Sequence, residues 1–158
     1  MLGVKLNPRA FLERAAQELL RIDPREVQAL ADDIWECYQK GRFVFVIGNG
    51  GSGSNSSHFA EDMGKCTLRR EDFDDDRKKR LRILSLTDNT PYILRAVEWA
   101  NRHDLKTFGC TGYSGGKLRA LAQKGLHVPL DDMGLVESMH LTAFHWVVGD
   151  LHRRIVGT

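Results

Sequence analysis

The chain has 158 residues, of which 42% are apolar and 28% charged, the composition of one globular domain with its own core. Its formal net charge is only +2, which argues against nucleic acid and membranes as partners. We find no apolar run near the ~20 residues that span a bilayer, and no signal peptide at the N-terminus. The three cysteines are widely spaced, which predicts reduced thiols and a cytoplasmic location.

The first predicted elements are two helices within residues 1–41. Asn7-Pro8 and Asp23-Pro24 each combine an N-cap residue with a proline at the first helical position. Apolar residues at helical spacing follow both caps, and Gly41 is typical of a helix end. We therefore predict a helical segment, residues 1–41, that packs on a domain formed by residues 42–158.

From Arg42 onward, short apolar strands alternate with helices. The strands are "FVFVIG", "LRILSLT", "KTFGCTG" and "LHVPL", and we expect helices to begin near Ser54, Ile93, Gly115 and Met133. This alternation predicts an α/β fold, with a mainly parallel sheet covered by helices on both faces. Ligands of such sheets bind beyond the carboxyl ends of the strands.

A glycine- and serine-rich loop, "GNGGSGSNSS", follows the first strand. Gly48, Gly50 and Gly53 spell G-x-G-x-x-G, but a dinucleotide site also needs an acid about 20 residues on. Asp88, the acidic residue at the end of the next predicted strand, lies too far along the chain from the glycine-rich loop for this role. A phosphate-binding loop, a dinucleotide site and a purely structural turn all remain open. We favour a small phosphorylated ligand, because the loop offers hydroxyls and a helix N-terminus.

Histidines and acidic residues occur together on two predicted helices, the one that follows the glycine-rich loop and the last one. His58 and Asp62 are four residues apart, so they share a helix face. The last helix carries Glu137, His140 and His145 among apolar residues. Two imidazoles and two carboxylates would make a zinc site or a general acid–base pair, whereas a lone histidine would be a hydrogen-bonded core or interface residue.

Five segments together resemble one known family. "GNGGSGSNSSHFAED", "LSLTDN", "TFGCTGYSGGKLRALA", "HVPLDDMGLVESMH" and "HLTAFH" are similar to the sugar isomerase (SIS) domain, and most of all to its phosphoheptose isomerase group. The resemblance extends from about Arg14 to Arg153. It implies a three-layer flavodoxin- or Rossmann-like fold and aldose–ketose isomerisation of sedoheptulose 7-phosphate, or a similar sugar phosphate, through an enediolate.

The resemblance also assigns roles to residues of this chain. It implies Asp62 as the catalytic base and His145 as its acid partner. The metal ligands it implies, for a possible zinc ion, are His58, Asp62, Glu137 and His145. The substrate-binding residues it implies are Asn49, Gly50, Gly51, Ser52, Asp88, Asn89 and Glu137.

Assembly follows from the same resemblance. Members of the family form homo-oligomers, so we expect a tetramer or dimer with a sugar phosphate as ligand. An apolar final helix that exposes Phe144 and Trp146 would fit such an interface.

The chain departs from the family pattern in three places. Asp62 stands where the family has a longer Glu, and Glu137 replaces a Gln. A strand, a helix and a second serine loop of the type S-x-S-G-N-S are missing around residues 91–93. The second loop holds phosphate in the family. The alternative function is therefore a non-catalytic SIS module that binds sugar phosphate as a regulator or an oligomerising adaptor.

Overall fold

A computed structural model of the protein describes residues 6–87 and 92–157. Within these residues helices and strands alternate from the first strand onward, as the sequence predicts. The helices are α1 (Pro8–Leu19), α2 (Pro24–Gln39), α3 (Gly50–Lys65), α4 (Tyr92–Arg102), α5 (Gly116–Leu121) and α6 (Met133–Val156). The strands are β1 (Phe43–Gly48), β2 (Arg82–Thr87), β3 (Phe108–Gly112) and β4 (Lys124–Val128).

The two N-terminal helices begin as predicted. The Asn7 side chain accepts a hydrogen bond from the Ala10 amide at 2.9 Å, and the Asp23 side chain accepts one from the Arg25 amide at the same distance. Each satisfies an amide that the first helical turn leaves free. Gly41 follows α2 with a φ of +63°, a conformation that a glycine adopts without strain.

All strand pairs are parallel, but they form two sheets. In the described part of the chain β1 pairs with β2, and β3 pairs with β4, each in a two-stranded sheet. The α/β class and the parallel pairing are thus confirmed, whereas the strands do not form one continuous sheet. A strand missing from the middle of the sheet would produce this break. The predicted junction includes Pro91, which lies outside the described residues.

One hydrophobic core joins the two sheets. It consists of the inner sides of α2, α3 and α6 together with half-buried side chains from three strands, among them Val46, Ile83 and Cys110. The residue that precedes Cys110 on β3, Gly109, faces Leu118 of α5. Successive residues of a strand point to opposite faces, so helices cover both faces of the β3–β4 sheet.

Within residues 6–87 and 92–157, the β1–β2 sheet is covered on its inner face only. Val44, Val46 and Ile83 pack against the core, whereas the alternate apolar side chains are exposed. No helix within the described residues is long and apolar enough to cross a membrane.

Candidate active site

Helix α3 begins earlier in the glycine-rich segment than the sequence predicts. The helix starts at Gly50 rather than near Ser54, so Ser52 lies in its first turn. Gly50 enters the helix with a φ of +52°. Asn49 is the N-cap residue, but its side chain makes no capping bond, and its Oδ1 is buried without a hydrogen-bond partner among the described residues.

Two glycines allow close contacts at this turn. A Cβ on Gly48 would overlap the backbone carbonyl of Ser52. A Cβ on Gly51 would overlap the carboxylate of Glu137, which reaches the turn from α6. The Glu137 carboxylate therefore lies against the N-terminal turn of α3, where the helix dipole favours a negative charge.

His58, Asp62 and His145 converge at one point between α3 and α6. The two imidazole Nε2 atoms are 3.0 Å apart, and Asp62 Oδ2 lies 3.2 Å from His58 Nε2 and 3.9 Å from His145 Nε2. The histidine side chains are about half exposed, and Asp62 is more buried. The structure thus brings together three of the predicted site residues, in reach of both solvent and a ligand.

These three side chains could hold a metal ion. One ligand atom from each lies within 4.8 Å of the others, and the Glu137 carboxylate is not part of that group. Two imidazoles and a carboxylate are ligands that zinc accepts, and three protein ligands with an open fourth position are typical of catalytic zinc sites. The role of Glu137 as a fourth ligand stays a prediction.

Packing between α3 and α6 fixes the position of this cluster. The rings of Phe59 and Phe144 stack with centroids 4.5 Å apart, and both side chains are buried. Asn55 Nδ2 donates a hydrogen bond of 2.9 Å to the Glu137 backbone carbonyl. The predicted exposure of Phe144 was therefore wrong, because this ring fills the helix interface, whereas Trp146 is exposed as predicted.

His140 belongs to the core and not to this cluster. Its side chain is buried, and its Nε2 has no hydrogen-bond partner among the described residues. Burial lowers the pKa of His140 to about 4, and the charge of His127 acts in the same direction. A backbone hydrogen bond with Thr111 opposes this shift only in part. His140 is thus the core histidine that the sequence left open as an alternative, although only one of its ring nitrogens is hydrogen-bonded within the described residues.

Two residues at the site escaped the sequence analysis. Asn55 joins the two helices, and the Cys66 Sγ lies 3.8 Å from Asp62 Oδ1. Cys66 is four residues after Asp62, a spacing that could have revealed this contact. Asn55 bonds a residue far along the chain, and no local signal indicates that bond. Two predicted substrate-binding residues, Asp88 and Asn89, lie outside the described residues.

Two relatives found by sequence comparison are both phosphoheptose isomerases, one of them a probable one. The chain is 22% identical to a probable phosphoheptose isomerase of Thermoplasma acidophilum, over 90% of this chain and 96% of the relative. It is 27% identical to a phosphoheptose isomerase of Pelobacter propionicus, over 87% of this chain and 90% of the relative. A scan of protein-family models finds none that matches.

Solved structures show the same likeness in fold. The phosphoheptose isomerase GmhA of Neisseria gonorrhoeae matches with a TM-score of 0.68 at 21% identity, over 90% of this chain and 95% of that one. A phosphoheptose isomerase of Francisella tularensis matches with a TM-score of 0.74 at 20% identity, over 92% and 96%. These matches confirm the predicted fold class.

The alignments also bear on the missing segment. The match to the Thermoplasma relative runs over 174 positions, more than the 158 residues of this chain, yet it covers only 90% of the chain. The relative therefore has residues within the aligned region that have no counterpart here. This agrees with the predicted loss of a strand, a helix and a loop.

Proposed function

We infer that the chain belongs with the phosphoheptose isomerases of the SIS family, and we propose that it interconverts the aldose and ketose forms of sedoheptulose 7-phosphate or a similar sugar phosphate. One observation carries this proposal. A carboxylate on α3 and an imidazole on α6, Asp62 and His145, meet at an accessible point, with 3.9 Å between Oδ2 and Nε2. Their similarity to the family's catalytic positions supports the same chemistry.

In this mechanism Asp62 is the general base. Its carboxylate takes the proton from the carbon next to the substrate carbonyl, and the electron pair moves onto the carbonyl oxygen to give an enediolate. His145 then supplies a proton to the neighbouring carbon, which was the carbonyl carbon. The new carbonyl forms on the first carbon as its hydroxyl proton passes to the enediolate oxygen, and the proton held by Asp62 returns to His145. His58 lies within hydrogen-bond distance of both groups and orients them.

We propose zinc as the metal that His58, Asp62 and His145 hold. Zinc on the Nε2 atoms would displace the proton that His145 donates, so turnover with and without zinc distinguishes these two roles of the cluster. The donor set fits, because the three ligand atoms lie close together and His58 and His145 face solvent. A bound zinc ion would polarise the substrate's oxygen atoms. His58 transfers no proton in the proposed reaction, so its loss tests metal binding and the orientation of Asp62 and His145 rather than the acid–base groups themselves.

The glycine turn is proposed to bind the sugar rather than its phosphate. Asn49, Gly50, Gly51 and Ser52 surround the start of α3, and the Glu137 carboxylate lies against Gly51. A phosphate at that point would meet a like charge, whereas sugar hydroxyls can donate hydrogen bonds to the carboxylate. Asp88 and Asn89, which follow β2 in the sequence, are proposed to bind the substrate as well.

The cellular setting is part of the same proposal. We propose a cytoplasmic homo-oligomer, a dimer or a tetramer, because the three cysteines are free thiols and apolar side chains are exposed on several elements. We propose neither nucleic acid nor a membrane as a partner.

The test is isomerisation itself. The purified protein is incubated with sedoheptulose 7-phosphate in D₂O, with and without zinc, and NMR follows aldose formation and deuterium incorporation at the exchanging carbon. We expect both in the wild type. Asp62→Asn should lose both by about 10²–10⁴-fold while it still binds the substrate.

The matched control is Glu61→Gln. Glu61 neighbours Asp62 on α3 but is exposed and paired with Lys65. Turnover of this variant should stay near the wild-type value. Substrate binding by the wild type without turnover or deuterium incorporation would instead support the alternative, a non-catalytic module that binds sugar phosphate.

A further inference from the structure

The two carboxylate oxygens of Asp62 have different partners. Oδ2 lies 3.2 Å from His58 Nε2 and 3.9 Å from His145 Nε2. The other oxygen, Oδ1, accepts a hydrogen bond from the Cys66 thiol, with 3.8 Å between Sγ and Oδ1. The carboxylate of the proposed base is therefore held at both oxygens, by an imidazole at one and by a thiol at the other.

The end of α3 fixes the position of Cys66. Cys66 is the C-cap residue, and its backbone amide donates a hydrogen bond of 2.7 Å to the Asp62 carbonyl. Residues four apart share a helix face, so its side chain lies one turn beyond that of Asp62. The same turn is anchored in the core, because Met63 and Thr67 are buried and the Thr67 hydroxyl donates to the Met63 carbonyl at 2.7 Å. The backbone position of Cys66 thus does not depend on its own side chain.

The chemistry of Cys66 is that of a donor rather than of a nucleophile. Burial and, to a smaller extent, the charge of Asp62 raise the pKa of the Cys66 thiol, so it keeps its proton at neutral pH. A thiol is a weak hydrogen-bond donor, but an ionised acceptor strengthens the bond. The neighbouring cation on the helix, Lys65, pairs with Glu61 at 2.5 Å and leaves this contact to the thiol.

We propose that Cys66 is a positioning residue for the isomerisation, whose thiol fixes the plane of the Asp62 carboxylate. The torsion about the Cβ–Cγ bond of an aspartate is broad, so a contact at one oxygen leaves that plane free to turn. The thiol supplies the second contact and keeps Oδ2 directed at the two histidines. Proton transfer depends on such alignment, and a displacement of about 1 Å can cost about 100-fold in rate. This inference rests on the proposed function, in which Asp62 is the base.

Loss of the thiol should affect the rate and not the fold. Cys66 is exposed, so in Cys66→Ala a water molecule donates to Oδ1 in its place. The carboxylate stays hydrated, and the free energy of unfolding therefore stays close to that of the wild type. A mobile water does not hold the carboxylate plane as a tethered side chain does, so the alignment of Oδ2 is lost.

The experiment is steady-state kinetics with sedoheptulose 7-phosphate for the wild type, Cys66→Ala and Cys66→Ser. We expect Cys66→Ala to lower kcat by about tenfold and to leave KM near the wild-type value, because the thiol contacts the base. Cys66→Ser offers a hydroxyl donor at the same position and should restore most of the lost kcat. A merely structural role would instead appear as a loss of stability in urea denaturation, without rescue by serine.

Lys65→Gln is the matched control. It changes the residue next to Cys66 at the same exposed end of α3 and removes the ion pair with Glu61. Its kcat and KM should stay near the wild-type values. Equal kcat in the wild type and Cys66→Ala would overturn the proposal. So would a Cys66→Ser variant as slow as Cys66→Ala, since the hydrogen-bond donor would then not be what matters.

A second measurement does not depend on turnover. The Raman difference between the wild type and Cys66→Ser isolates the S–H stretching band of Cys66, which lies at lower frequency when the thiol donates a hydrogen bond. In an Asp62→Ala background the acceptor is gone, so the same difference band should move to higher frequency. A band that stays in place would overturn the contact. A wild type without turnover would overturn the proposed function and with it the positioning role, whereas a band that moves would still support the contact.

Discussion

His140 and His145 lie on the same helix, five residues apart, in opposite environments. His140 is 4% exposed, packs beside Phe144 and has an unpartnered Nε2 among the described residues. The His145 side chain is 53% exposed and meets His58 and Asp62. At 3.6 residues per turn, a separation of five places the two side chains on nearly opposite sides of α6, one in the core and one at the candidate active site.

The difference teaches that residue type alone does not identify a site. Burial lowers the pKa of His140 to about 4 because a charged imidazole loses its hydration there, so this side chain is neutral at pH 7. The His145 side chain is exposed to solvent and lies 3.9 Å from the Asp62 carboxylate, as its proposed role requires. Accessible partners, and not the histidine itself, distinguish the proposed functional residue from the buried one.

The largest expected effect is on turnover. His145→Asn should lower kcat by about 10²–10⁴-fold, because the proposed proton donor is lost, and should leave the unfolding free energy nearly unchanged, because the side chain is half exposed. Steady-state kinetics with sedoheptulose 7-phosphate and urea denaturation measure the two effects. His103→Asn changes an exposed histidine that directly follows α4, and it serves as the control. If kcat survives in His145→Asn, the proposed acid role is wrong.

The second expected effect is on the stability of the fold, and it appears only when the pH is lowered. Since the folded-state pKa of His140 is about 4 and its ordinary value is 6.5, the unfolded chain binds a proton more readily at this position. The stability from the neutral imidazole is complete above pH 6.5. It falls as the pH drops, and by pH 4 about 3 kcal/mol is lost. Urea denaturation between pH 7 and pH 4 measures the loss.

A variant isolates this contribution. His140→Gln cannot titrate, so its stability should fall less steeply with pH than that of the wild type, even though its stability at pH 7 is lower. His103→Asn should keep the wild-type slope. Equal slopes in the wild type and His140→Gln would show that other groups cause the acid sensitivity. Thr111 and His127, which adjoin His140, stay unchanged in this comparison.

Local patterns in the sequence predicted the local structure well. The capped starts of α1 and α2, the parallel strands and the shared face of His58 and Asp62 all depend on residues near one another in the chain. The meeting of His145 with that pair depends on packing across more than 80 residues, so the residue pattern left it open as one alternative, and the family resemblance then assigned it. The burial of Phe144 was missed for the same reason, because its partner Phe59 lies on another helix.

A third prediction compares two glycines of the active-site turn. Gly48→Ala should destabilise the fold by about 1–3 kcal/mol, because the new methyl group meets the Ser52 backbone, which cannot move aside. Gly51→Ala meets only the end of the flexible Glu137 side chain, so we expect a smaller loss of stability but weaker substrate binding. Urea denaturation and KM measure the two effects.

The third prediction has an internal check. In a Glu137→Ala background the clash at position 51 is gone, so Gly51→Ala should then cost little further stability. If the cost persists there, the carboxylate is not what fills the space above Gly51. The cost of Gly48→Ala should be the same in either background.

The smallest expected effect concerns the bond that joins the two helices of the site. Asn55→Ala removes the donor to the Glu137 carbonyl and should cost about 1 kcal/mol in the unfolding free energy. Gln28→Ala removes an exposed hydrogen bond to Asp32 and should cost less, since water replaces that bond at the surface. If the bond also positions Glu137 and the cluster beyond it, Asn55→Ala will raise KM, whereas Gln28→Ala will not. A loss of stability without a change in KM would show that helix packing alone, through Phe59 and Phe144, aligns the exposed part of α6 with α3.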